Sequence, residues 1–181
     1  MTFLEVLDDA VKIGLGAFGG WLIARGSRSH DFERERRRRK QDCLERVMED
    51  LDDAEAAISA FCVASLGLRA ANIGQFTAWR TGKRKQAMQL SWAKDMLEQS
   101  NKCDGTLTKL NRSHNKLIVF GFTECAKSLH TYSTAAIGLK MVLNDVRDDK
   151  KPLEDYASER QKLAKLSENF CVVITKAFAT L

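Results

Sequence analysis

The chain has 181 residues, enough for one domain with a real core plus a short appendage. Its 44% hydrophobic and 29% charged content is that of a globular protein, and the single proline, Pro152, favours long uninterrupted helices over sheet. The net charge of +5 is unevenly placed: residues 1–24 carry −2, residues 25–40 carry +5 and the rest +2, which argues against a protein coated uniformly with nucleic acid.

The first element is an apolar, glycine-laced run from Ile13 to Ala24. That run is 12 residues long, whereas a membrane span needs about 20, and Glu5, Asp8, Asp9 and Lys12 interrupt its extension towards Phe3. Phe3, Leu4, Val6, Leu7 and Val11 nevertheless prolong the apolar surface. Taken as one helix, residues 3–24 would measure about 33 Å, close to the hydrocarbon thickness. Trp21 stands where interfacial aromatics anchor, and Arg25 and Arg28 follow it. The acidic lead and the lack of a small-x-small cleavage site argue against a secretory signal. The expectation is a single span with Phe18, Trp21, Leu22 and Ile23 as the membrane anchor. An in-plane amphipathic helix and a helix packed on the rest of the protein are the alternatives. The arginine bias then puts the following chain on the cytoplasmic side, as at a bacterial inner membrane.

Two glycine patterns overlap in this run. Gly14, Gly16 and Gly19 match G-x-G-x-x-G, but no strand follows and no second strand ends in an acid, so a dinucleotide site is not expected. Gly16, Gly20 and Ala24 place one small residue per turn on one face, a surface through which helices self-associate in lipid.

The basic tract comes next: Arg34, Arg36, Arg37, Arg38, Arg39 and Lys40, broken only by Glu35. No apolar stripe precedes Leu44, so the tract reads as a solvated helical stalk supported by i,i+4 pairs. Beside an apolar helix its simplest role is contact with anionic headgroups, at about 1 kcal/mol per residue near the surface. Nucleic acid is the less favoured reading, helped by Arg80, Lys83, Arg84 and Lys85 or by Lys109, Arg112 and Lys116.

Heptad spacing governs the remainder. Leu44, Val47, Leu51, Ala54, Ile58, Phe61, Ser65 and Leu68 recur at steps of three and four, as do Ile118, Phe122, Cys125, Leu129, Tyr132, Ala136, Leu139, Leu143 and Val146. A third stripe holds Leu153, Tyr156, Leu163, Leu166, Phe170, Val173 and Ala177. Met88, Trp92, Met96, Gln99, Cys103, Leu107 and Leu110 form a weaker one. Breaks are expected at Gly74 to Gly82, at Asn111 to Asn115 and at Asp148 to Pro152, with Gly105 ending the second of these helices early. Short connections make neighbours antiparallel.

Chemistry-bearing residues are sparse. The five cysteines, Cys43, Cys62, Cys103, Cys125 and Cys171, form no C-x-x-C pair, and three of them fall in apolar stripes. His30, His114 and His130 include no i,i+4 pair, so no metal site is expected. No cofactor is implied, and neither is an enzyme. The sequence thus predicts an all-α protein: an N-terminal membrane-anchor helix (1–25), a basic juxtamembrane stalk (26–42) and an antiparallel up-down four-helix bundle (43–181). The expected function is a non-enzymatic, self-associating, membrane-anchored bundle that engages a protein partner, either as a membrane-perturbing effector or as a scaffold. The alternative is a soluble helical binding module or assembly subunit whose basic tract meets nucleic acid or an acidic partner.

Overall fold

The structure, a computed structural model, describes the chain path of residues 3–76, 82–145 and 153–181, and the side chains of residues 31–70, 90–144 and 156–181. Among the described residues there are four helices and no strand: α1 (Phe3–Phe76), α2 (Gly82–Val119), α3 (Thr123–Asp145) and α4 (Leu153–Ala179). The chain divides into two units, Met1–Gln41 and Asp42–Leu181.

Within the second unit each helix buries one seam, and the seams are those that heptad spacing selects. Leu44, Val47, Leu51, Ala54, Ile58 and Phe61 of α1 are all buried. They meet Met96, Cys103, Leu107, Leu110 and Leu117 of α2, and Leu129, Tyr132, Ala136, Leu139 and Leu143 of α3. Tyr156, Leu163, Phe170 and Ile174 of α4 close the core. A side chain of this size contributes about 1.5–3 kcal/mol when fully buried, so these seams hold the helices together.

Cross-helix contacts fix the directions. Along α1 and α2, Ser113 Oγ donates to Asp50 Oδ2 at 2.5 Å, and Lys109 Nζ meets Asp53 Oδ2 at 3.1 Å. Gly67 faces the Trp92 indole further along the pair. Numbers climb on one helix as they fall on the other, so α1 and α2 are antiparallel. Lys140 of α3 reaches Asp104 Oδ1 at 2.5 Å and the Ser100 carbonyl at 3.3 Å, while His130 faces His114, which makes α2 and α3 antiparallel too. Cys125 of α3 donates its thiol to the Val173 carbonyl of α4 at 3.9 Å. Lys140 Nζ also lies 5.7 Å from the centre of the Phe61 ring, a cation–π contact onto α1.

Two expected breaks do not occur. Asn111 to Asn115 is helical, and Gly105 lies inside α2, which continues to Val119. The physical reason is packing: Leu110, Ser113 and Leu117 extend the α2 seam through the polar stretch, and tertiary burial overrides the turn preference of Asn, Ser and His. Gly105 sits exposed with nothing within 4 Å of where a Cβ would be, so it only weakens the helix, by about 0.5–1 kcal/mol relative to Ala. Ile118 consequently belongs to α2 and is half-exposed, while Phe122 lies in the turn, so neither is in the α3 seam proper. Trp79, Arg80, Val146 and Pro152 lie outside the described residues, as do the side chains of Lys83, Arg84, Lys85, Met88 and Leu153.

The true stop is at Gly121, whose φ of 84° is left-handed. Phe122 N–H donates to the Leu117 carbonyl at 2.8 Å and Gly121 N–H to the Ile118 carbonyl at 3.0 Å. This double closure is the Schellman motif, with glycine at the left-handed position and apolar residues at Leu117 and Phe122.

These two glycines make opposite predictions. Gly105→Ala should stabilise the fold by about 0.5–1 kcal/mol, whereas Gly121→Ala should destabilise it by about 1 kcal/mol or more. Urea unfolding followed by circular dichroism reads both, and equal effects of the same sign would contradict the two backbone assignments.

Candidate lipid-facing and polyanion-facing surface

The apolar run and the basic tract both belong to α1. Gly16, Gly20, Ala24, Phe18, Trp21, Leu22 and Ile23 have side chains outside the described residues. No helix among the described residues is long and apolar enough to cross a membrane.

The basic tract is described in full. Arg34, Arg36, Arg37, Arg38 and Arg39 are exposed and Lys40 is half-buried. Arg39 Nε pairs with Glu35 Oε1 at 2.9 Å across one helical turn. Such an exposed i,i+4 pair is worth about 0.3–0.5 kcal/mol and does not immobilise its arginine against a stronger anion. At about 100° of rotation per residue the six cations are distributed around the whole circumference of the helix. They form a collar, not a stripe. Phe32, two residues before Arg34, is 71% exposed.

The bundle contributes a different set of groups. His114 and His130 fall in unrelated parts of the sequence, yet α2 and α3 bring their rings to 5.5 Å between centres at an angle of 43°. Among the described residues no group of three or more His, Cys, Asp or Glu side chains is arranged to hold a metal ion. Arg160 Nη1 donates to the Tyr156 hydroxyl at 3.3 Å, and that hydroxyl in turn donates to the Cys62 sulfur, a relay from the surface of α4 to the core face of α1. Sequence spacing signals only the Tyr156–Arg160 half of it, an i,i+4 pair on one helix.

Burial sets the acid–base character of these groups. It raises the thiols of Cys43, Cys62, Cys103 and Cys125 above their ordinary value, so each is a neutral small hydrophobe and no nucleophile. Burial also raises the phenols of Tyr132 and Tyr156. Comparison with protein-family models, curated proteins and solved structures returned no match.

The acid–base directions share one sign. Each buried thiol and phenol binds its proton more tightly folded than unfolded, so its contribution is complete below the ordinary values of 9.0 for thiol and 10.0 for phenol. Stability is then lost as pH rises through and beyond them. The urea midpoint should be flat between about pH 7 and 8.5 and fall steadily from about pH 9 to 11; a midpoint rising over that upper range would contradict the burial of these groups.

Proposed function

We propose that this protein is a non-enzymatic, membrane-anchored helical bundle. Its N-terminal helix engages lipid, its basic collar contacts anionic headgroups, and its bundle engages a protein partner on the cytoplasmic side. The observation that carries the reading is the adjacency, on one helix, of a 12-residue apolar run and a collar of six cations, five of them exposed. A collar suits a helix passing through a headgroup layer, which presents phosphates at every azimuth.

Helical geometry adds a second support. At about 100° per residue, Glu5, Asp9, Lys12, Gly16 and Gly20 fall on one stripe of the helix, while Leu4, Leu7, Val11, Phe18, Trp21 and Leu22 fall on the opposite side. Three of the four interrupting charges therefore share a face with the small residues, while Asp8 lies between the two faces and Ile23 falls on the charged one. Close approach of helices through Gly16, Gly20 and Ala24 would turn Glu5, Asp9 and Lys12 towards one another and away from lipid. Self-association is thus what would let so interrupted a segment enter the hydrocarbon region. Toxic effector and passive scaffold both fit such an anchor. For the partner, Leu90 and Leu97 of α2 and Ile137 and Met141 of α3 leave large apolar side chains at the surface of neighbouring helices.

Fractionation with and without residues 1–25 tests the anchor. The full chain should stay in the membrane pellet through carbonate extraction and the truncated chain should be soluble. Release of the full chain by high salt alone would refute lipid insertion. With vesicles containing anionic lipid, converting Arg36–Arg39 to Gln should weaken partition by roughly 1,000-fold, since each cation contributes about 1 kcal/mol. On inducible expression, Gly16→Leu with Gly20→Leu should abolish growth arrest if the protein is an effector; a wild type that never arrests growth identifies a scaffold.

A further inference from the structure

The antiparallel register that joins Lys140 of α3 to Asp104 of α2 also sets His130 beside His114, ten residues away along each helix. The two rings lie 5.5 Å apart between centres, inclined at 43°. His114 is half-buried and His130 exposed, so ions in solution have access to the pair.

Neutral imidazole offers one acceptor nitrogen and is the commonest protein ligand for transition metals. A zinc–nitrogen bond is about 2.0–2.1 Å, which puts each ring centre about 3.2 Å from the metal. Two such rings at a tetrahedral angle have their centres about 5.2 Å apart, a few tenths of an ångström from the separation across α2 and α3. The second torsion of histidine is broad, so both rings can turn a nitrogen towards the space between them. His114 Nδ1 also lies 3.3 Å from Asn115 Oδ1. An acceptor there holds the proton on Nδ1 and leaves the Nε2 lone pair for a metal.

The surroundings define the kind of site. Among the described residues no third His, Cys, Asp or Glu completes a ligand set. The charges flanking the pair in sequence are mostly cationic: Arg112, Lys116 and Lys127, the last paired with Glu124 at 3.0 Å. Two protein ligands leave the remaining positions to water, so binding is reversible and the metal exchangeable, unlike a closed four-ligand structural site. Imidazole suits zinc, nickel and copper, whereas magnesium and calcium want oxygen.

We propose that His114 and His130 form a two-imidazole site for a divalent ion of the zinc, nickel and copper class, which clips α2 to α3. The site lies within Asp42–Leu181 and does not depend on how residues 1–41 meet a membrane.

Calorimetric titration of the full-length chain with Ni²⁺ at about pH 7.5, where imidazole is neutral, provides the test. One ion should bind per chain, and Mg²⁺ should not compete. His114→Gln and His130→Gln should each weaken binding by about 100-fold, because the second ligand of a chelate acts at high effective concentration. The double variant should be little worse than either, and His30→Gln should bind as the wild type does. Ni²⁺ should raise the unfolding temperature of the wild type and of neither single variant. Absence of saturable binding would overturn the proposal. So would two ions per chain with one lost in each single variant, the mark of independent histidines, or binding that only His30→Gln abolishes.

Discussion

The fold depends on one constraint: each of four helices must bury a single seam against its neighbours, and no other source of cohesion in the bundle is comparable. Among the described residues the cross-helix polar contacts are few, and Lys109–Asp53 is more than half exposed on both sides. Pairs of that kind contribute at most about 1 kcal/mol. The inter-helix connections are no stronger, since the α2–α3 turn rests on two backbone hydrogen bonds and a left-handed glycine. What aligns the helices is that Leu44, Leu110, Leu129 and Phe170 are all fully buried in one cluster. The polar contacts set register: Asp50 accepts from the Ser113 hydroxyl, and Lys140 reaches Asp104, the Ser100 carbonyl and the Phe61 ring together.

The seams are the part of the molecule legible in the sequence, because burial imposes a periodicity that survives whatever the intervening residues are. Every described position of the α1 stripe from Leu44 to Ser65 is buried, serine included. Helix ends were less legible. Asn111 to Asn115 has the composition of a turn, but Ser113 occupies a seam position and is 1% exposed, with its hydroxyl satisfied by a carboxylate on another helix. A propensity of a few tenths of a kcal/mol per residue cannot compete with Leu110 and Leu117 on either side. The signal for the actual stop was present at Gly121, a glycine followed by the apolar Phe122 and preceded by Leu117, which is the hydrophobic signature of the Schellman closure. Composition over five residues outweighed geometry over six.

Cross-helix chemistry was not legible, because it depends on register. The rings of His114 and His130 meet only when α2 and α3 are docked, and the Tyr156–Cys62 hydrogen bond only when α4 and α1 are. Neither pairing has a spacing in one chain direction that would announce it. The basic collar is the converse case, since its six cations lie within a single helix and their distribution around it follows from sequence alone.

Two kinds of interaction are therefore kept apart along this chain, and they respond differently to conditions. The bundle rests on apolar seams, which moderate salt leaves nearly unchanged, and on thiols and phenols that are neutral below about pH 9. The collar acts through charges exposed to solvent, screened over about 8 Å at physiological ionic strength. A change in ionic strength can thus alter contact with an anionic surface without loosening the core behind it. Among the described residues Tyr132, Ser65 and Ser133 depart from this pattern, each burying a hydroxyl with no hydrogen-bond partner among the apolar seams. Each such hydroxyl costs the fold about 1–3 kcal/mol, which the apolar seams around it offset.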